Sequence, residues 1–472
     1  MRPDEILTKV KNAIDALIEI GSQYDGLFPS LIDRDTHQML YSMPPPIQGQ
    51  RNGDRSHLGC NLIHDEAALK TMFALSEFSG DERYANAADR YLQRFSNHCT
   101  DTDTGLFPWG EHSFWHLMEN RVGNSYVYHS PETKASATHD HLRQAPLWLW
   151  EKLWHFNPRC AERFAEGQDY HWVDCSPPEY IRHAPIETKT HPSKGNRSCD
   201  FPRHSGFYIF NLSFALAKTG RDDLLTRIEK FLDYWWKKRD DRGLLLIESR
   251  SPEDDERFYD VNNPGQTLSL ATSLLESAEI LGSTRPEISA TMRERAATYL
   301  NGFFSAPHDL EKGTFVISSN RETNEAVQTM PVWGSIYGLW PASYVAVVAL
   351  CAHRLTHDPR LLAWAESVGQ AYLREPFPAD VAVPAMDAGL ALGLFADLYD
   401  LTGQEIWLSG GLELAGTIVE LYFDKVLPRG AAGIEWYESQ MGPSFLLHGL
   451  ARMAMLAEDP ESCPLPADYT GR

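Results

Sequence analysis

The sequence predicts an all-α fold, an (α/α) toroid or barrel in which helical hairpins close into a ring. Three observations predict it: apolar residues recur at helical spacing along most of the chain, a Gly-containing linker recurs between helices, and one long segment lacks this periodicity. The 472 residues, 43% of them hydrophobic, are enough for one large helical domain. We therefore expect a single domain over residues 1–472, with a loop insertion at about 159–204.

The helical spacing is clear in several segments. Ala68, Met72 and Leu75 form one apolar stripe, and residues 268–275 have the same pattern. Alternating β-branched patterns are scarce, and short ones such as residues 314–317 predict only small ribbons. The chain is therefore expected to be mostly α-helical.

A linker in which one helix ends at Gly and the next begins at a polar residue recurs along the chain. It occurs at residues 79–84, 219–223, 281–284 and 402–405. Gly suits the position just after a helix, and Asp, Ser or Thr suits the N-cap of the next one. Because the spacing between these linkers is irregular, a closed ring that tolerates insertions fits better than a regular solenoid.

The predicted insertion at 159–204 lacks long apolar periodicity and contains five prolines. These are Pro177, Pro178, Pro185, Pro192 and Pro202. Loops of this length within a compact chain usually have a function. We therefore expect the insertion to fold over one end of the ring.

Composition excludes several classes of function. A formal net charge of −22 disfavours nucleic acid and anionic membranes as partners. No stretch approaches the roughly 18 consecutive apolar residues of a membrane helix, and the N-terminal residues resemble an amphipathic helix rather than a signal peptide. Seven irregularly spaced cysteines give neither a metal pattern nor a disulfide framework, so a cytoplasmic location is expected. Nucleotide, flavin and serine-hydrolase motifs are missing.

The histidines are concentrated in one part of the chain. Eleven of the 18 lie between His98 and His204, where an even spread would place about four. Five of these eleven lie beside charged residues in four clusters, 109–112, 139–143, 181–184 and 201–206. Imidazole binds divalent metals and also transfers protons near neutral pH. The clusters therefore predict one functional centre.

A basic patch lies in the same region. Residues 181–204 contain five basic and two acidic residues in a chain that is otherwise strongly acidic. Arg182 and Arg203 each directly precede a histidine, and the planar guanidinium matches a carboxylate. We expect an anionic small substrate, with at least one of the two arginines binding its carboxylate.

Three of these motifs carry a resemblance to a known family. Residues 105–112, then His141-Leu142-Arg143 and then Arg182-His183 resemble the family 2 polysaccharide lyases, exo-acting pectate lyases on an (α/α) barrel, and related uronate-active enzymes. The recognisable region is roughly residues 60–210. The resemblance implies a uronate-containing oligosaccharide or polysaccharide as substrate and β-elimination as the reaction.

The resemblance also implies site residues. His112 and His183 match ligands of a divalent metal, usually manganese, and Arg182 matches the residue that abstracts the substrate proton. His141 occupies the slot of the third ligand, which is a glutamate in the family, and Asp140 directly precedes it. The metal site could therefore consist of His112, His141 and His183, could recruit Asp140, or could be lost.

The chemistry is consistent with these residues. Elimination across C4–C5 of a uronate requires that the C6 carboxylate be neutralised by a metal or an arginine and that a base reach the C5 proton. Arginine is a poor base at its normal pKa, so His204 or His139 could act instead of Arg182. Asp140 is a third candidate catalytic residue.

Aromatic and polar residues near the clusters predict the sugar-binding surface. Trp109 could stack against a sugar face and Glu111 could bind a hydroxyl group. Near the end of the chain, Tyr437 and Glu438 precede the last apolar helix and could line the same opening.

Three alternatives remain open from the sequence. A glycoside hydrolase would need two carboxylates flanking the glycosidic bond. The candidates are Glu111, Asp140, Asp65, Glu66 and Glu438. A sugar epimerase would use paired histidines as acid and base. A helical carbohydrate-binding protein without activity would explain the aromatic residues but not the histidine clusters. The oligomeric state is left open.

Overall fold

The computed structural model describes residues 1–129, 137–173, 179–192, 199–249, 261–334, 341–378 and 380–467. Its helices, in chain order, are α1 (Pro3–Gly21), α2 (Leu62–Ser79), α3 (Arg83–Arg94), α4 (Tyr126–His129), α5 (Leu147–Phe156), α6 (Pro158–Gly167), α7 (Pro202–Thr219), α8 (Asp222–Trp236), α9 (Pro264–Leu281), α10 (Pro286–Ser305), α11 (Ala342–Thr356), α12 (Pro359–Arg374), α13 (Ala385–Thr402), α14 (Glu405–Tyr422) and α15 (Pro443–Glu458).

The long helices alternate between an inner and an outer layer. Helices α2, α7, α9, α11, α13 and α15 are buried on nearly all sides, because they carry apolar or small residues on every face. From α7 to α15 each of these helices packs against the next, and α15 packs against both α2 and α1. The shorter pair α5 and α6 fills the space between α3 and α7. The ring therefore closes, and the predicted (α/α) barrel is confirmed.

Three of the four predicted linkers have the expected left-handed glycine, whereas Gly282 in the remaining one keeps a helical φ of −52°. The expected Asp, Ser or Thr N-caps are wrong, because the helices that follow have Glu82, Arg221, Arg285 and Gln404 at that position. Gly80, Gly220 and Gly403 follow their helices with φ of 72°, 71° and 63°, the left-handed conformation that glycine adopts without strain. Each linker reverses the chain from an inner helix to an outer one, so the inner helices run in the same direction. Their first turns meet at one end of the ring, which we call the mouth.

Proline marks the start of most inner helices. It is the first residue of α7, α9 and α15, and it is the N-cap of α11 and α13. Proline suits the first helical position because its φ is already helical and the amide hydrogen that it lacks would have no partner inside the helix.

The strands are short and belong to the segments between helices. They are β1 (Leu31–Asp33), β2 (Gly59–Cys60), β3 (Ser113–His116), β4 (Arg121–Asn124), β5 (Thr138–His139), β6 (Trp172–Val173), β7 (Glu179–Tyr180), β8 (Ala184–Pro185), β9 (Cys199–Asp200), β10 (Leu246–Ser249), β11 (Val261–Asn262), β12 (Val316–Asn320), β13 (Ala326–Thr329) and β14 (Trp436–Glu438). They pair antiparallel as β2-β3-β4, β5-β8, β6-β7, β1-β14 and β13-β12-β11-β10-β9. The ribbon expected near residues 314–317 is β12–β13.

The predicted start of the insertion at 159 is wrong. Residues Pro158–Gly167 form helix α6, since Cys160, Ala161 and Phe164 make a short apolar stripe that packs inward. The irregular segment begins after Gly167 and continues to α7, and residues 174–178 and 193–198 of it lie outside the described residues. The single-domain organisation stays a prediction. None of the helices in the described ranges is both long enough and apolar enough to cross a membrane.

Candidate metal centre and active site

All four histidine clusters meet around Asp140. Its Oδ2 lies 3.5 Å from His112 Nε2 and 3.6 Å from His183 Nε2. One ligand atom from each of the three residues lies within 4.8 Å of the other two. Ligand atoms bound to one tetrahedral ion at imidazole distances are about 3.4 Å apart. The set of two imidazoles and one carboxylate therefore fits a divalent ion.

The environment of these three residues also suits a metal. Both Asp140 oxygens are buried, and among the described residues neither has a hydrogen-bond partner. Burial alone would raise the pKa of Asp140, but the Arg182 guanidinium and the His183 ring hold that pKa well below its ordinary value. Burial lowers the pKa of His112 and of His183 to about 4. The carboxylate is therefore charged and the imidazoles neutral at pH 7, the forms that bind a metal.

His141 is not a member of this group, so the prediction of a three-histidine site is wrong. Side chains alternate along an extended segment, so Asp140 points to the side opposite His139 and His141. The His141 ring packs inside the protein, 5.4 Å between centroids from Trp109 and 5.4 Å from Phe207. Of the possibilities that the sequence left open, the geometry favours recruitment of Asp140.

A close backbone contact joins two of the ligand-bearing segments. Gly110 forms an isolated bridge with Asp140 and has a φ of 92°. A Cβ atom at Gly110 would lie 1.5 Å from the carbonyl oxygen of Asp140, so no other residue type fits there. The third segment is held by β5 and β8, in which His139 pairs with Ala184, the neighbour of His183. Strand pairing thus assembles a site whose parts are distant in sequence.

Arg182 lies beside the ligands. Its Nε is 3.7 Å from Asp140 Oδ2, and its Nη2 is 3.8 Å from Glu111 Oε2. The same Nε donates a hydrogen bond to His183 Nε2 at 3.2 Å. The two carboxylates stabilise the charged guanidinium.

The first turn of α7 supplies two further predicted residues. His204 Nδ1 lies 3.8 Å from Asp140 Oδ1, and within the described ranges neither ring nitrogen has a hydrogen-bond partner. Burial, and then the charge of Arg203, lower the pKa of His204 well below its ordinary value, so the ring is neutral at pH 7. Burial lowers the pKa of Arg203 to about 10. Arg203 interacts electrostatically with Glu111, Arg182 and Asp140 and so belongs to the same centre.

Glu111 lies beside His112, and its predicted role in substrate binding stays a prediction. Its Oε2 is 3.5 Å from His112 Nε2, and its Oε1 is 3.4 Å from Arg51 Nη2. Burial, and then the charge of Asp140, raise the pKa of Glu111. Glu111, Asp54 and His112 form a second group of possible ligands, but burial raises the pKa of Asp54 to about 8, so its carboxyl group is mostly protonated at pH 7 and poorly suited to bind a metal.

Trp109 is in the core, so its predicted role in substrate binding is wrong. It is fully buried among aromatic rings, namely those of Phe95, Phe107, Trp150 and Phe164. Its indole nitrogen donates to His139 Nε2 at 3.1 Å, and His139 Nδ1 lies 2.8 Å from His171 Nε2. His139 is therefore occupied in a buried network and is unsuitable as the base.

The roles predicted for Tyr437 and Glu438 are also wrong. Tyr437 is 1% exposed and belongs to the core. Glu438 accepts two hydrogen bonds from Arg55, at 2.7 and 2.8 Å, and another from Gln50 at 2.9 Å. These contacts satisfy its carboxylate, which leaves no oxygen free for a substrate. The sequence segment is polar because it contains a buried ion pair.

Glu438→Ala should lower the free energy of unfolding by about 3–5 kcal/mol, because it leaves the Arg55 guanidinium buried without a partner. The measurement is urea-induced unfolding. Glu435→Ala is the matched control, since that side chain is 67% exposed and its removal should change stability by less than about 0.5 kcal/mol. Unchanged stability of Glu438→Ala together with weaker substrate binding would instead restore Glu438 to the substrate site.

Arg51, Gly53 and Asp54 belong to the centre and were missed by the sequence. His112 Nδ1 lies 3.1 Å from the carbonyl oxygen of Gly53 and 3.5 Å from Asp54 Oδ1. Asp54 Oδ2 in turn accepts a hydrogen bond from Arg51 Nε at 2.7 Å. The Tyr126 ring stacks on His112 with 4.4 Å between centroids. These contacts turn His112 Nε2 toward Asp140. No local pattern links residues 51–54 to His112, because the contact is made only in the folded chain.

Asp54→Asn should weaken metal binding by about 10–100-fold, because outer partners of a ligating histidine fix its tautomer and orientation. The measurement is isothermal titration calorimetry of chelator-stripped protein with Mn²⁺. Asp35→Asn makes the same substitution at an exposed position and serves as the control. Equal affinities for wild type and Asp54→Asn would show that the Gly53 carbonyl alone is sufficient to orient His112.

Solved structures of several sugar-active enzymes are similar to the whole chain. A cellobiose 2-epimerase from Bacillus thermoamylovorans is 10% identical with a TM-score of 0.48, over 96% of this chain and 98% of that one. An unsaturated glucuronyl hydrolase specific for heparin is 12% identical with a TM-score of 0.48, over 96% and 98%. An α-1,6-mannanase from a Salegentibacter species is 10% identical with a TM-score of 0.42, over 95% and 98%. Likenesses at this level do not identify a reaction.

No curated protein matches the chain. Residues 44–216, however, match the family described as periplasmic pectate lyase, which confirms the resemblance to family 2 polysaccharide lyases. That description does not favour the predicted cytoplasmic location. The matched range contains Asp54, His112, Asp140, Arg182, His183, Arg203 and His204. The match supports a carbohydrate-active enzyme of the (α/α)-barrel type.

Proposed function

We propose that this protein is a metal-assisted lyase that cleaves uronate-containing polysaccharides or oligosaccharides by β-elimination. The observation that carries the proposal is the convergence of His112, Asp140 and His183 beside the guanidinium of Arg182. This arrangement combines a divalent-metal ligand set with a cation that can bind a carboxylate. The family match over the same residues supports it.

We expect His112, Asp140 and His183 to hold a divalent ion, and the resemblance implies manganese. Such an ion would neutralise the substrate carboxylate and make the C5 proton more acidic. Arg203 and Arg182 bind and orient that carboxylate. A metal ion held by His183 would take the place of the hydrogen bond that Arg182 Nε donates to His183 Nε2. The charge that develops on the carboxylate during the reaction is stabilised by the same groups.

His204 is the proposed base. Its buried imidazole is neutral at pH 7 and can accept a proton, whereas Arg182 stays charged between Asp140 and Glu111. The C5–H bond breaks as its proton moves to His204, and the electron pair moves onto the C6 carboxylate. The C4–O bond breaks as this pair returns to form the C4=C5 double bond. The departing oxygen takes a proton from solvent, and His204 gives up its proton to solvent. The products are an unsaturated uronate and a shortened chain. The resemblance assigns the base to Arg182 instead, and the two assignments are separable by mutation.

The glycoside hydrolase interpretation has less support. Its best pair is Glu111 and Asp140, but both carboxylates lie 3.5 Å from the same atom, His112 Nε2. Hydrolase carboxylates flank the bond from opposite sides, with substrate between them. Asp65 is bound by the Tyr91 hydroxyl at 2.8 Å, and Glu438 is paired with Arg55. An epimerase would need two facing histidines, whereas His139 and His171 hydrogen-bond to each other in the interior.

The test is incubation of the protein with a panel of uronate-containing and neutral oligosaccharides, with Mn²⁺ or with chelator. A lyase gives ultraviolet absorbance from the unsaturated product together with new reducing ends, only on uronates and only without chelator. New reducing ends without absorbance would identify a hydrolase. Incorporation of solvent deuterium without cleavage would identify an epimerase.

A further inference from the structure

A tyrosine on α11 lies at the mouth. Tyr344 is the third residue of this helix, and its side chain is partly exposed. Its hydroxyl donates to Met386 Sδ, in the first turn of α13, at 2.7 Å. It is also hydrogen-bonded to Arg143, whose Nη1 lies 3.0 Å from the same sulfur. Because a guanidinium has only donors, the phenolic oxygen accepts from Arg143, and the phenolic proton points to a thioether, which is a weak acceptor.

Arg143 is held in place by several contacts. Its Nη2 donates to the carbonyl oxygen of Ile63 in α2 at 3.1 Å, and the guanidinium lies over the ring of Phe445 in α15, 5.1 Å from its centroid. It also attracts the Asp65 carboxyl group. The guanidinium that binds the Tyr344 hydroxyl is therefore fixed by the first turns of the inner helices.

The Tyr344 hydroxyl and the metal centre share neighbours. Arg203 interacts electrostatically with both Tyr344 and Asp140. Arg143 follows Asp140 by three residues, so their Cα atoms are at most about 10 Å apart. In the ring, α9 separates α11 from α7, the helix of Arg203 and His204. A sugar residue bound by Arg203 is therefore approached by His204 from one inner helix and by Tyr344 from another.

The charges around Tyr344 suit the donation of a proton. Burial raises the pKa of Tyr344, whereas the positive charges of Arg143 and Arg203 lower it. The phenol keeps its proton at pH 7, because even its ordinary pKa is about 10. The oxygen that leaves a sugar carbon as an alkoxide is a stronger base than a phenolate, so transfer of the proton to it is favourable. The two guanidinium groups stabilise the phenolate that remains.

We propose that the Tyr344 hydroxyl donates a proton to the departing oxygen and that Arg143 positions this hydroxyl. The inference rests on the proposed function and adds a catalytic residue to it. As the C4–O bond breaks, its electron pair stays on the oxygen, which takes the proton of the Tyr344 O–H bond. Solvent then returns a proton to the phenolate, so solvent stays the final source of this proton.

The test compares two methyl galacturonosides, one with a second galacturonate on O4 and one with a 4-nitrophenyl group on O4. Nitrophenolate is a stable anion that departs without a proton, so only the disaccharide needs a proton donor. Tyr344→Phe should lower kcat on the disaccharide by about 10²–10⁴-fold and leave kcat on the nitrophenyl compound near the wild-type value. The measurement is ultraviolet absorbance of the unsaturated product with saturating Mn²⁺.

Two control variants show the patterns that would overturn the proposal. His204→Gln should lose kcat on both substrates, because both reactions remove the C5 proton. Tyr422→Phe removes a buried hydroxyl that donates to the carbonyl oxygen of Val383 at 2.7 Å, and it should keep the wild-type kcat on both. If Tyr344→Phe loses kcat on both substrates, or keeps kcat on both, Tyr344 is not the proton donor.

Arg143→Met tests the positioning role. It should lower kcat on the disaccharide but not on the nitrophenyl compound, and it should have no further effect in a Tyr344→Phe background. Arg143→Lys keeps a donor for the phenolic oxygen and should restore most of the lost kcat. Equal losses of kcat on both substrates, or a loss that adds to that of Tyr344→Phe, would show that Arg143 does not act through Tyr344.

The same measurements separate this inference from the proposed function. If wild type forms no unsaturated product from either substrate, the lyase proposal fails and this inference fails with it. If wild type is active on both substrates and Tyr344→Phe does not distinguish them, the lyase proposal stands and only the role of Tyr344 is wrong.

Discussion

Asp140→Asn should abolish tight binding of Mn²⁺ and lower kcat/KM by about 10³-fold or more. Asp140 contributes the one negative charge of the three-residue ligand set, and both of its oxygens are buried without a hydrogen bond among the described residues. The charge stabilisation lost with the metal amounts to several kcal/mol, which corresponds to a rate effect of this size. Elemental analysis of the purified variant, together with calorimetric titration of Mn²⁺, provides the measurement.

His141→Asn is the matched control for this experiment. It removes a possible ligand next to Asp140, but one whose ring packs against Trp109 and Phe207. Metal stoichiometry should stay at the wild-type value in this variant even if its melting temperature falls. If His141→Asn loses the metal and Asp140→Asn keeps it, the three-histidine site that the sequence predicted would be correct after all.

His204→Gln should lower kcat on uronate substrates by about 10²–10⁴-fold with little change in KM, the effect of losing a general base. Glutamine keeps a similar size in this buried position but cannot accept the proton. The comparison uses steady-state kinetics with saturating Mn²⁺, after circular dichroism has shown that the variant is folded.

Arg182→Lys distinguishes the two candidate bases. If Arg182 binds the substrate carboxylate, the loss of its planar fork should act mainly on KM, and kcat should fall much less than in His204→Gln. The reverse pattern, a large loss of kcat in Arg182→Lys and near-normal kcat in His204→Gln, would return the role of base to Arg182, as the resemblance implies.

More of the fold than of the site could be predicted, because the sequence patterns that indicate helices and linkers involve only neighbouring residues. Helical periodicity and linkers such as Gly80 and Gly220 depend on neighbouring residues, and they are sufficient to predict a ring of hairpins. Helix α6 was missed since its apolar stripe is only two turns long. The location of the centre was also predictable, because histidine and arginine are concentrated in the segments that form it.

The roles within the centre depend on long-range geometry. His141 and Asp140 are adjacent in sequence, and only the pairing of β5 with β8 decides which of them faces the other ligands. Trp109 and Glu438 have the residue types of a sugar site, but one is enclosed by rings and the other by Arg55. Asp54 approaches His112 across a long stretch of chain, a contact that no sequence pattern indicates.

The contact between Gly110 and Asp140 has a consequence for how such a centre can change. Because backbone atoms hold the two segments together, the position of the donors does not depend on which donors they are. The side chain at position 140 can therefore be exchanged for another ligand type, and metal preference altered, while the scaffold stays intact. Exchange of the glycine would separate the segments and dismantle the site whatever ligands it carried. During evolution the metal-binding residues of this centre can therefore change, whereas Gly110, which binds no metal, cannot.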